Sequence, residues 1–198
     1  MGWTVGAVGD TATTGIWERI DPVSTVSQPE LDHTPGAATM AYITGQSNDP
    51  ATNGENDVDG GHTTLISPIL DVSAEPTAEI EYRRWYANNF GTAIDDVFTV
   101  DITNDGSNWV NVETIGPMGP GTRGSWLLHR FTISDYVAPN ATVQVRFVAD
   151  DSGTGSIVEA GVDDFRVIVE RATICPPLAN QLPQWPDPVT ILDMIICL

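Results

Sequence analysis

The sequence contains no lysine. Its eight basic residues are all arginine and stand against 27 acidic ones, for a formal net charge of −19. Nucleic acid and anionic membrane surfaces require a positive face, so neither is an expected partner. No apolar run approaches the roughly 18 residues needed to span a bilayer. Cysteine is absent until Cys175, with Cys197 the only other. The body of the chain therefore offers neither a thiolate metal site nor a cysteine nucleophile. A bridge between the two would contribute roughly 3 kcal/mol by loop entropy, and two free thiols fit the sequence equally well. The three histidines, His33, His62 and His129, show no His-x-x-x-His or His-Glu-x-x-His spacing, which argues against a zinc hydrolase. A Gly-x-Ser-x-Gly nucleophile turn is also missing. With this many acids, carboxylate pairs of the kind used in glycoside hydrolysis arise by chance, and the chain is read as non-catalytic. The opening Met-Gly-Trp-Thr-Val lacks the charged and apolar regions of a signal peptide, which suggests a segment of a longer, exported protein.

Sustained 3.6-residue periodicity is lacking too; what is present is alternation. Strands are expected over 16–20, 39–44, 63–66, 78–87, 96–103, 109–115, 126–133, 142–149 and 158–170, with an edge strand and loop in 1–15. Val143, Val145 and Phe147 fall on one face, opposite Gln144 and Arg146. Turn-forming Asn104-Asp105-Gly106-Ser107-Asn108 separates two of these runs as a hairpin loop. Period-2 alternation recurring about every 10–15 residues predicts an all-β antiparallel sandwich of two sheets, jelly-roll or Greek-key. The domain is expected to occupy 1–170. Residues 171–198 read as a Pro-rich linker and an apolar tail that packs back or joins an interface.

The most informative stretch is Asp57-Val-Asp59-Gly60-Gly61-His62-Thr63-Thr64-Leu65-Ile66-Ser67-Pro68. Its glycines permit a tight turn, and carboxylates crowded there repel one another by roughly 3 kcal/mol per pair at ~5 Å and an effective dielectric of about 20. A hard cation such as Ca²⁺ relieves that repulsion; a solvated acidic turn is the plainer alternative. Further candidate oxygens lie in Glu18 and Asp21, in Asp163-Asp164, and more loosely in Asp95-Asp96, Asp150-Asp151 and Glu159. Adjacent aspartates inside a strand are unusual, because alternation turns one of them inward. With Phe165 and Val167 on the core face, Asp163 is expected to share their side, unless strand regularity breaks at the pair. A buried carboxylate must be paired or coordinate a metal.

The order of these motifs resembles the MAM-like jelly-roll domain of secreted bacterial proteins. The resemblance rests on Trp17-x-Arg19-x-Asp21-Pro22, Gln28-Pro29-x-x-Asp32-His33-Thr34, the Asp57–Pro68 stretch, Tyr82-Arg83-Arg84-Trp85-Tyr86, Arg146-Phe147-x-Ala149-Asp150 and Val158 to Phe165. It covers roughly residues 3–170. It implies a secreted accessory module, often beside a zinc carboxypeptidase or other peptidase domain, serving adhesion or attachment to a neighbouring module, an extracellular glycan or a protein. It also implies a structural Ca²⁺ held by Glu18, Asp21, Asp57, Asp59 and Asp164, with Asp163 as the alternative to Asp164. The cysteine pairs of MAM domains are missing here. The tail Pro188 to Ile195 resembles the helix-entry half of a dockerin repeat, without the preceding ligand loop. A carbohydrate-binding module is the second reading. Among Trp85, Trp109, Trp126 and Tyr136, it assigns sugar stacking to Trp109 and Tyr136 and leaves Trp85 and Trp126 to the core.

Overall fold

The computed structural model describes residues 2–34, 36, 39–153 and 155–169. The expected linker and tail, both cysteines and the dockerin-like segment lie outside them. Ten strands run in chain order: β1 (Thr4–Val5), β2 (Trp17–Ile20), β3 (Ala41–Thr44), β4 (Gly61–Ile66), β5 (Glu79–Ala87), β6 (Phe98–Thr103), β7 (Val110–Ile115), β8 (Leu127–Thr132), β9 (Gln144–Asp151) and β10 (Glu159–Ile168). They form two five-stranded antiparallel sheets, ordered β1-β4-β9-β6-β7 and β2-β3-β10-β5-β8. A single 3-10 turn, Ile133–Asp135, is the only helical element among the described residues.

Alternation builds the core between the sheets. Phe98, Val100 and Ile102 from β6 meet Val145, Phe147 and Ala149 from β9, all fully buried. Ile80, Tyr82 and Tyr86 close over them from β5. Burying an apolar side chain of this size contributes about 1.5–3 kcal/mol, so this shared layer fixes the register of both sheets.

A second, smaller apolar cluster lies on the opposite face of the second sheet, where Ala41, Ile43, Trp85 and Ala87 are buried with Ile20 and Trp126 packed against them. Gly161 sits opposite Trp85 in the ladder, and a Cβ there would meet the indole nitrogen at 2.2 Å. The cover for this cluster is the loop after β2: Trp126 Nε1 donates to Leu31 O at 2.9 Å and Gln28 Nε2 donates to Gln46 Oε1 at 2.7 Å. A strap thus crosses a sheet face that would otherwise expose a tryptophan.

Strand regularity breaks at the aspartate pair, so Asp163 does not share the side of Phe165 and Val167. The β10–β5 register breaks between Asp163 and Arg166, and Asp164 adopts a left-handed conformation at φ 50°. Asp163 pairs with Arg83 in continuity with the Gly161–Trp85 pair, on the outer face with the strap. One extra residue at the bulge then restores Phe165 and Val167 to the core side.

Candidate metal centre

Val58 is fully buried and packs into the main core. Alternation turns its neighbours Asp57 and Asp59 the other way, so one apolar anchor aims two carboxylates. Gly61, at φ 140°, lets the turn pass under the N-terminal segment, where a Cβ would lie 1.7 Å from Thr11 Oγ1. The β4–β9 ladder pairs Gly61 with Asp151 and so brings the end of β9 to the acidic turn. Asp57, Asp59 and Asp151 each offer a carboxylate oxygen, and these oxygens all lie within 4.8 Å of one another. Asp57 and Asp151 are buried and Asp59 is exposed, so the group has a closed floor and one open side. This triad could hold a metal ion.

Its electrostatics are unusual. Burial, with repulsion from Asp59, pushes the Asp57 carboxyl up to about 6. Burial raises Asp151 to about 7, with added repulsion from Asp96, Asp59, Asp57 and Asp150. Glu159, 1 % exposed at the start of β10, is likewise raised to about 7 by burial and by Asp57. Asp151 Oδ2 and Glu159 Oε2 are buried and accept no hydrogen bond. Every arginine-carboxylate pair of the described residues lies elsewhere: Arg84–Glu113, Arg130–Glu79, Arg146–Asp101 and Arg166–Glu81. Negative charge is therefore concentrated where few donors, and no arginine of the described residues, pair with it.

The other expected ligands do not join this group. Glu18 Oε1 accepts from the Gln46 backbone N–H at 2.7 Å, and the Asp21 carbonyl accepts from Gln46 Nε2 at 2.7 Å; Gln46 thus ties β2 to the segment after β3. Asp163 lies four residues along β10 from Glu159, about 13 Å at strand rise. Asp163 Oδ2 accepts from His33 N at 2.8 Å, Thr34 N at 3.2 Å and Thr34 Oγ1 at 3.3 Å. Asp164 pairs with His33 Nδ1 at 2.7 Å and accepts from Thr34 Oγ1 at 2.7 Å. Burial works to raise the Asp164 carboxyl, but the hydrogen bonds from Thr34 and His33 outweigh it and hold the group below its ordinary value. The bulge has turned both aspartates onto the strap, where they act as its clamp. The expected convergence of all these acids on one ion is corrected to two separate groups. Asp151 and Glu159 stood among the looser candidates in sequence; their signal was a carboxylate at a strand end, which becomes informative only once the ladder is known.

The expected sugar-stacking residues diverge. Trp109 is half-buried, with the Arg146 guanidinium 4.5 Å above its ring. Tyr136 packs edge-on against Phe131 at 5.3 Å and lies against the core. Trp85 is buried, and Trp126 packs edge-on against it.

No protein-family model matches the chain, and no curated protein matches it. Solved structures do share its architecture. One is a cyclase from Fischerella sp. TAU in complex with 4-(1H-indol-3-yl)butan-2-one, at TM-score 0.50 and 10 % identity over 85 % of this chain and 84 % of that one. Another is the K1 cleaved adhesin domain of Lys-gingipain from Porphyromonas gingivalis W83, at TM-score 0.48 and 17 % identity over 85 % and 91 %. TmCBM61 in complex with β-1,4-galactotriose aligns at TM-score 0.47 and 9 % identity over 85 % and 88 %. At these identities the shared property is the β-sandwich fold.

Proposed function

We propose that the chain is a non-catalytic, calcium-stabilised β-sandwich module that acts outside the cell and supports adhesion or attachment of a neighbouring domain. The observation that carries this reading is the Asp57–Asp59–Asp151 group, with a buried Asp151 oxygen that no donor satisfies. The donor set is oxygen only, without histidine or cysteine, which suits Ca²⁺ rather than zinc or copper. Extracellular calcium modules work with ions at weak to moderate affinity, consistent with a site open on one side. Each histidine faces a carboxylate, as His33–Asp164, His62–Asp10 and His129–Glu113. No helix of the described residues is long and apolar enough to cross a membrane.

Thermal melting with calcium and with EDTA, together with elemental analysis of the purified protein, tests the reading. A calcium-dependent rise in midpoint supports it, and a midpoint indifferent to both conditions sinks it.

A second reading, a carbohydrate-binding module, is favoured by Trp109. Its ring is half-buried with the Arg146 guanidinium fixed over it.

A further inference from the structure

We propose that the solvent face of the first sheet carries a recessed site for a neutral oligosaccharide, with Arg146 as its principal donor and Asp101 as the residue that positions it. The inference rests on the carbohydrate-binding reading and gives it a location and a ligand class.

The outward residues of an exposed sheet ordinarily stand in water. Here Thr64, 3 % exposed, and Asp101, 8 % exposed, do not. The N-terminal segment forms one wall, because Asp10 Oδ1 accepts from Thr64 Oγ1 at 2.7 Å and Asp10 Oδ2 from Thr64 N at 2.9 Å. Arg146, laid over Trp109, forms the other. Between them lies a cavity of about 240 Å³ crossing β4, β9 and β6, with His62, Thr99, Val148 and Asp150 also on its lining. It is smaller than the roughly 300–1,000 Å³ that encloses a drug-sized ligand, which suits one or two rings of a chain lying across the sheet.

The guanidinium is held from two directions. Its Nε donates to Asp101 Oδ2 at 2.8 Å while the plane rests on the Trp109 ring. Asp101 is itself fixed, since Oδ1 accepts from Asn111 Nδ2 at 3.0 Å. Among the described residues the Nη nitrogens of Arg146 have no hydrogen-bond acceptor, and they are available to donate. A polyhydroxylated ligand needs donors and acceptors interleaved, and the lining interleaves them. Arg146 donates, Asp150 accepts, and the Thr99 hydroxyl does either. Val148, set among them on β9, offers a small apolar contact for the C–H face of a pyranose. Three aspartates, Asp10, Asp101 and Asp150, outnumber the one arginine, so uronate-bearing and sulfated sugars are repelled.

The test uses the full chain in millimolar calcium, screened against neutral and acidic oligosaccharides on an array, with the best neutral ligand then measured by calorimetry. Arg146→Ala and, separately, Thr99→Trp are each expected to weaken binding at least about tenfold, equivalent to ~1.4 kcal/mol. Thr99→Trp fills the recess without removing any charge and remains informative if Arg146→Ala destabilises the fold. Melting midpoints close to wild type confirm that each variant is folded. If wild type binds a neutral glycan but both folded variants bind it equally well, the site is elsewhere; the location is overturned and the carbohydrate reading stands. Binding restricted to acidic glycans overturns the assigned ligand class. If wild type binds no glycan, both the reading and this inference fall.

Discussion

Two acidic groups in this molecule have similar composition and opposite surroundings. Asp163 and Asp164 face donors: two backbone N–H groups, a threonine hydroxyl and a histidine ring. Asp57, Asp59 and Asp151 face one another; Thr14 Oγ1 reaches Asp59 Oδ2 at 3.4 Å and the Val158 backbone N–H reaches Asp57, while Asp151 Oδ2 has no donor among the described residues. The first group is an anion already satisfied by the protein, and a cation there would have to displace those hydrogen bonds. The second leaves a buried oxygen without a donor, and an ion is the natural complement. What separates a clamp from a metal centre is therefore the number of donors in reach rather than the number of carboxylates.

The strongest way to break this comparison is to exchange the roles. Calcium at a hundred times its dissociation constant would stabilise the native state by ~2.7 kcal/mol, or about 5–10 °C in midpoint for a chain of this size. Asp151→Asn is expected to abolish that shift and Asp163→Asn to preserve it, as read by calorimetry with and without EDTA. The reverse result would show that the clamp is the ion site.

The clamp gives the next effect. Asp163→Ala removes the acceptor of three hydrogen bonds and leaves partly buried donors unpaired, at a cost of about 1–3 kcal/mol. That loss should be the same in calcium and in EDTA. Loosening the strap should also expose Trp126 and Trp85, read as a red-shifted tryptophan emission before global unfolding.

A smaller effect concerns pH and has opposite signs in the two groups. In the metal centre, Asp57, Asp151 and Glu159 are raised to about 6, 7 and 7, above their values in the unfolded chain. Without calcium, the native state then binds more protons than the unfolded state between about pH 4 and 7, so stability falls as pH rises through that window. In EDTA the midpoint should be higher at pH 5 than at pH 7.5. Calcium favours the ionised carboxylates, so its stabilising shift should shrink on acidification. Asp164, held below its ordinary value, contributes stability that is lost only as pH falls below the usual carboxylate range.

The strands were legible because alternation is a local signal. Phe98, Val100 and Ile102 read as one face, as did Val143, Val145 and Phe147, and those faces are the core. The Asp57–Asp59 turn was legible because two carboxylates and two glycines are contiguous. Asp151 stood only among the looser candidates, because its proximity to the turn depends on the β4–β9 register, which no local pattern encodes. The role of Asp163 and Asp164 was misassigned for a related reason. A non-glycine residue at positive φ carries no reliable mark in sequence, and one such residue rotates the pair off the core and onto the strap. The strap itself was visible only as a polar loop; its function became clear from Trp85, a tryptophan buried on an outer sheet face.

Glu18 supplies the smallest and most discriminating test, because it belongs to neither group. Its Oε1 accepts the Gln46 N–H, a role that a neutral amide oxygen also performs. Glu18→Gln therefore keeps the hydrogen bond and removes only the charge. For a half-buried position away from both acidic groups, the expected change in stability is within about 0.5 kcal/mol, with the calcium shift intact. A calcium ligand at the same position would behave differently, since loss of a charged oxygen would weaken ion affinity and reduce the shift. Measuring the calcium-dependent midpoint of Glu18→Gln beside Asp59→Asn thus separates an acid that organises the backbone from one that holds an ion.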